Sequence, residues 1–492
     1  MKPTRTRKAI GLFAFQSRRI RFLCLTALSV AAVMIGFSGV RASIGQFIPN
    51  IIPNLQPFPD PSGIVKTFTT AGFIDEQNPF FQDLGTNGRR CVTCHQPSDA
   101  WTVTPPHIQQ RFESTGGTDP IFRPVDGATC PTDDVSTLAA RRDAYKLVLN
   151  KGLIRIGISL AAGANFIVTN VDTPYTGCND TTNLSMYRRP LPSTNLRFLS
   201  TVMFDGREFP VVGEPKPFTE AEINGALHQQ SVDATRGHAQ AAQDPTLAQQ
   251  DQIVAFETSL FTAQAFDNDA GPLHVDGASG GPIALSRTDF FLGINDPLGN
   301  NPNQAPFTPA IFSLYQNWLN IPDREYDEHT AARHSIARGE QIFNSFPITI
   351  TGVGGLNDVP LQDGQIHPTI PGFCGTCHDT PNVGDHSFPA PLNIGIADAS
   401  RRTPDMPLFT ILCNDGTLVQ TTDPGRALIT GHCADIGKFK GPILRGLAAR
   451  APYFHNGSAA SLDDVVTFYQ QRFNLGLTDE QQRDLIAFLR SL

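Results

Sequence analysis

Two pentapeptides carry the chemistry of this sequence: Cys91-Val92-Thr93-Cys94-His95 and Cys374-Gly375-Thr376-Cys377-His378. In each, two thiols at this spacing can form thioethers with the vinyl groups of one porphyrin. The adjacent imidazole then falls beneath the ring to ligate iron, so C-x-x-C-H is a geometric requirement of covalent haem attachment. The rival chemistries are a redox dithiol and a zinc site. A zinc site needs paired Cys or His elsewhere at short spacing, and none is evident. The sequence therefore predicts two covalently bound haem c groups. Cys91, Cys94, His95, Cys374, Cys377 and His378 would hold them, with His95 and His378 as proximal iron ligands.

Cys130, Cys178, Cys413 and Cys433 remain once Cys24 is assigned to a leader. An even remainder in an exported protein points to disulfides. Sequence proximity favours Cys130–Cys178 and Cys413–Cys433 among three connectivities; free buried thiols are the alternative.

The elements that must position the motifs read mostly as helices. A short helix is expected at His107–Phe112. Thr137 can cap a helix to Asn150, stopped by Gly152. Thr219–Gln230 and Thr246–Phe261 follow, the latter with Ile253, Phe256 and Leu260 on one face. Thr308-Pro309 opens a helix through Leu319, and Thr330–Ser345 leads towards the second motif. Ser461 caps a helix carrying Val465, Val466 and Phe468. Thr478 with Gln481 forms a capping box before a terminal amphipathic helix. Residues 165–196 read as a linker and 267–306 as a domain connection. Strand alternation is scarce, so the expected fold is mainly α, with two helical haem domains and long loops.

The chain has 492 residues, enough for two or three domains. A net charge of −8 gives no sign of nucleic-acid binding, which needs a clustered basic face. The basic run Lys2 to Arg21, the apolar run Phe22–Phe37 and Val40-Arg41-Ala42 together resemble a secretory signal peptide. A retained anchor is the alternative, but the apolar run is short for a span. Cleavage near Ala42 and a periplasmic location are expected. The domains expected are 1–42 (signal peptide), 43–275 (first haem domain) and 276–492 (second).

The segment Gly437-Lys438-Phe439-Lys440-Gly441-Pro442-Ile443-Leu444-Arg445-Gly446-Leu447, continuing through Ala451-Pro452-Tyr453-Phe454-His455-Asn456-Gly457-Ser458, resembles a signature of the bacterial di-haem cytochrome c peroxidase superfamily, which includes the MauG-type maturation enzymes. Leu191-Pro192-Ser193-Thr194-Asn195-Leu196 and Met203-Phe204-Asp205-Gly206-Arg207 resemble the family's first half. The resemblance implies two cytochrome c-like domains with haems facing a shared interface. It also implies electrons from a small redox protein and reduction of hydrogen peroxide at the haem on His95, with the haem on His378 as electron entry. A non-catalytic periplasmic electron carrier, or an oxygenase or cofactor-maturing oxidase on the same scaffold, are the competing functions.

The family's peroxidases place a Met ligand just before the Phe-Lys signature; here Ala434-Asp435-Ile436-Gly437 stands there. His455, Met406 and His432 are the candidate sixth ligands of the second iron, and His107 is a distal candidate at the first. Peroxide cleavage needs a group that moves a proton between oxygens; Asp233 and His238 are the candidates. Phe204 stands where the family often has Trp, and Phe is harder to oxidise. The resemblance also implies Arg207 and Arg445 at haem propionates or at the domain contact, and a calcium ion near Asp423-Pro424-Gly425-Arg426.

Overall fold

The computed structural model describes residues 50–208, 220–322, 328–361 and 363–492. The leader assigned to residues 1–42 lies outside them. Ile52–Leu492 packs as one unit, and among the described residues no helix is long and apolar enough to cross a membrane.

The mainly α expectation is corrected. The structure is 30 % helix and 18 % strand, with five small sheets. The strands escape a pattern search for two physical reasons. First, partners lie far apart in sequence: Phe166–Asp172, in the expected linker, pairs antiparallel with Leu408–Cys413. Second, an inward face need not be apolar. Strand Gly63–Thr69, paired with Leu260–Asp267, buries Val65, Thr67 and Thr69. The threonines are satisfied across the sheet, with Thr67 and Thr262 hydroxyls 2.8 Å apart, so burial without a hydrophobic alternation carries no penalty.

Most expected helices are present. Thr137 caps Leu138–Ala144, which breaks at Tyr145 and resumes as Lys146–Lys151 up to left-handed Gly152. Thr246 and Gln249 form a capping box at Leu247–Thr258. That helix stops short of Phe261, because Leu260 already belongs to the strand Leu260–Asp267. The expected helix from Thr308 is absent, and only a 3-10 turn at Gln316–Asn320 forms. Its backbone amides go to side chains instead: Leu314 and Tyr315 donate to the Glu340 carboxylate at 2.8 Å each, and Phe312 donates to Asn344 at 3.0 Å.

Beside the second motif, helix Thr330–Ser345 crosses the terminal helix Asp479–Arg490. The crossing is set by Gly339, where a Cβ would stand 2.0 Å from the Asp484 carbonyl oxygen. Phe312 packs edge-on against both Phe343 and Phe488, which meet each other tilted, and the three fill the space beside it. Beside the first motif, Phe80, Phe81, Trp101 and Phe256 form a buried aromatic cluster with Ile253 and Leu260. Cys130 with Cys178 and Cys413 with Cys433 form disulfides, the connectivity that proximity favours.

Candidate haem cavities

Each pentapeptide opens onto its own cavity, and both cavities are predominantly apolar. The first is lined by Cys91, Cys94 and His95 with Leu191, Leu196, Leu227 and Ile253. The second is lined by Cys374, Cys377 and His378 with Phe343, Leu392, Val466 and Leu489. Burial pushes the Cys91 thiol up to about 12, with the Glu257 carboxylate adding to it. Burial pushes Cys374 and Cys377 up to about 12 as well.

The two histidines are held in the same way. His95 Nδ1 lies 3.0 Å from the Trp101 carbonyl oxygen, and His378 Nδ1 lies 2.7 Å from that of Gly384. A carbonyl only accepts, so Nδ1 donates and Nε2 keeps its lone pair. This is the orientation and tautomer of a metal-ligating imidazole. Burial holds both rings neutral, His95 down to about 4. The first carbonyl is delivered by a strained turn in which Ala100 and Trp101 both take positive φ, 49° and 63°. Trp101 is locked by its indole N–H, which donates to Thr67 Oγ1 at 2.9 Å.

The first cavity is lined by one further histidine, His238, and the second by two, His386 and His455. In the first, His238 is oriented by Asp126, with Nδ1 2.5 Å from Oδ2. Asp126 is itself buried against Arg89. Burial raises its carboxyl, but the Arg89 guanidinium and His238 overcome this and hold it below its ordinary value. In the second cavity, His455 stacks on Phe439 with ring centroids 4.2 Å apart, and its Nε2 is buried without a hydrogen-bond partner. Burial lowers His455 to about 4.

The other sequence candidates lie elsewhere. His107 pairs with Asp99 beside a separate small cavity. Met406 packs against Leu153, Tyr175 and the Cys130–Cys178 bridge. His432 is exposed. Asp233 is exposed on the helix Glu220–Gly237 and accepts from Gln229. Arg207 lines the first cavity and pairs with Asp205 at 3.1 Å. Arg445 is buried with Nε and Nη2 unpartnered, outside both cavities. Asp423 accepts both arms of Arg188.

Sequence reasoning gave no role to Glu257, which is fully buried, lines the first cavity and is raised to about 8 by burial alone. Glu257 lies four residues after Ile253, on the buried face of Leu247–Thr258, while Leu247, Asp251 and Ala255 face outward; the signal available in the sequence was a carboxylate on the apolar stripe. Reasoning also missed the wall common to the two cavities. Arg189, Phe204, Lys440 and Arg450 line both. Burial lowers Arg189 and Arg450 to about 10 and Lys440 to about 8, and Arg450 Nε has no partner. Buried cations without full partners suit carboxylates brought in by a ligand. Two thiols, an oriented imidazole, an apolar chamber and a cationic wall fit an iron porphyrin at each motif.

No family model matches the chain. Part of it is similar to cytochrome-c peroxidase IdrP1 of Denitromonas iodatirespirans, 33 % identical over 140 residues, covering 24 % of this chain and 36 % of that protein. Part is similar to cytochrome-c peroxidase IdrP2 of the same organism, 34 % identical over 159 residues, covering 29 % and 42 %. The chain thus spans less than half the length of these relatives. A solved MauG-like protein associated with microbial copper homeostasis superposes over 91 % of this chain and 94 % of that one, at 15 % identity and a TM-score of 0.35, too loosely to support an argument.

Proposed function

We propose, from the membership of this chain in the di-haem cytochrome c peroxidase and MauG superfamily, that it is an exported di-haem c-type cytochrome that reduces hydrogen peroxide with electrons from a small donor protein. The single observation that carries this reading is the pair of cavities, each combining a C-x-x-C-H motif with a histidine whose Nδ1 is tied to a backbone carbonyl.

In this reading Cys91, Cys94 and His95 hold one haem in a segment spanning 43–275, and Cys374, Cys377 and His378 hold the other in 276–492. When bound, the haems supply redox-active iron. The chain supplies orientation and proton handling. His238, steadied by Asp126, moves a proton at Nε2 between peroxide oxygens. Arg189, Lys440 and Arg450 neutralise carboxylates at the common wall. Phe204 sits in that wall and resists oxidation, so electrons cross without a side-chain radical. His455, whose buried Nε2 has no hydrogen-bond partner, would help hold the second haem through its iron. The location is the periplasm after removal of the leader. A calcium ion near Asp423 has to compete with Arg188, whose guanidinium already occupies that carboxylate.

The test is electron paramagnetic resonance of the oxidised and half-reduced protein, with and without peroxide, alongside turnover with a reduced small cytochrome. A peroxidase shows a high-spin, peroxide-responsive haem in the half-reduced state. A second reading, pure electron carriage, draws on the further imidazole that each cavity contains. Two low-spin haems that stay low-spin on reduction, with no turnover, would establish it and end the peroxidase reading.

A further inference from the structure

Behind the second motif, three side chains from two loops converge. Asp296, Asp379 and His386 each present one ligand atom, and these atoms lie within 4.8 Å of one another. All three residues are at least nine-tenths buried, 2 %, 0 % and 4 % exposed. Each carboxylate divides its work. Asp296 Oδ2 accepts from the Asn300 backbone amide at 2.7 Å and from Asn300 Nδ2 at 2.8 Å, while Oδ1 has no hydrogen-bond partner. Asp379 Oδ1 accepts from the Ser387 amide at 2.6 Å, while Oδ2 has none. Neither ring nitrogen of His386 is hydrogen-bonded, although Nδ1 stands 2.8 Å from Asp379 Oδ2. The Ser387 hydroxyl is also buried and unpartnered. Asn295 fixes the two loops together, its Nδ2 donating to the Thr308 carbonyl at 2.9 Å and to the Asp379 carbonyl at 3.1 Å.

Buried polar atoms of native proteins are nearly always partnered. Here Asp296 Oδ1 and His386 Nε2 have no partner, Asp379 Oδ2 meets only His386 Nδ1, the three ligand atoms gather within 4.8 Å of one another, and the outer carboxylate oxygens are fixed by hydrogen bonds, as they are behind metal ligands. We propose that Asp296, Asp379 and His386 bind one divalent transition-metal ion of the zinc class, separate from the haem irons. Two carboxylate oxygens and one imidazole nitrogen make a three-ligand set that a water can complete to four. Calcium is disfavoured, since it takes six to eight oxygen ligands. The competing arrangement is metal-free, with His386 as an imidazolium between two carboxylates. The proposal does not depend on the peroxidase reading.

The test uses the full chain with both haems attached, stripped with a chelator, incubated with zinc chloride and desalted. Elemental analysis is expected to find one zinc per chain beyond the iron, and zinc is expected to raise Tm. Asp296→Asn and His386→Gln should lose the zinc. Asn300→Ala, which touches only the outer oxygen of Asp296, should retain it about 10–100-fold more weakly and guards against a ligand variant that fails to fold. A parent protein that holds no zinc, or ligand variants that hold it as tightly as the parent, overturns the proposal.

Discussion

Arg188 grips Asp423 with both arms, Nε to Oδ2 at 2.7 Å and Nη2 to Oδ1 at 2.8 Å, although 235 residues separate them. Its remaining nitrogen, Nη1, donates to Asp205 Oδ2 at 2.5 Å. All three are fully buried, and this knot joins the strand Asn183–Arg188 and the Asp205-Gly206-Arg207 turn to the loop before the Phe439 signature.

Removing the guanidinium strands two buried carboxylates. Arg188→Met is expected to destabilise by about 3–5 kcal/mol in denaturant unfolding. Adding Asp205→Asn and Asp423→Asn to it should recover much of the loss. Equal instability of the single and triple variants would show that charge is not what the knot contributes.

His238 predicts a loss of chemistry without a comparable loss of fold. His238→Ala is expected to lower peroxide turnover by about 10²–10⁴-fold, read with a reduced cytochrome as donor. Asp126→Asn should lower it less, since the ring stays in place but is held less firmly. Undiminished turnover in His238→Ala removes it from the proton path.

Glu257 should make stability depend on pH. Its folded value, about 8, lies above the ordinary 4.5 because burial disfavours the charged form. Stability from this residue is therefore full below about pH 4.5 and is lost as pH rises towards 8. Glu257→Gln should match the parent near pH 4.5 and exceed it by up to roughly 2–5 kcal/mol above pH 8. Thermal melts across that range decide it; parallel curves count against the assignment.

His455 and Met406 separate by spectroscopy. His455→Ala should convert one low-spin paramagnetic resonance signal to high-spin, while Met406→Leu leaves both signals in place. The opposite pattern would assign the ligand to the thioether.

The two candidate attachment sites were legible because covalent haem binding would fix residue type and spacing within five positions. Helices were legible where a side-chain cap or capping box announced them at Thr246, Ser461 and Thr478, though not after Thr308. The sheets were not, because their inward positions include threonines and their partners stand as far apart as Phe166 and Cys413. The false helix after Thr308 shows the same limit: Glu340 and Asn344 capture its amides from a different segment. The sequence and its family resemblance could name His455 and His238 as candidates but could not say that Met406, His107 and His432 lie outside the cavities they were considered for, since that depends on how remote loops meet.

Arg189 donates through its side chain to the carbonyls of Lys151, Val103 and Arg450, and through its backbone amide to that of His455. One residue thus buttresses the chambers of both motifs. With a haem at each motif, as proposed, substitution of Arg189 should shift the midpoint potentials of both together.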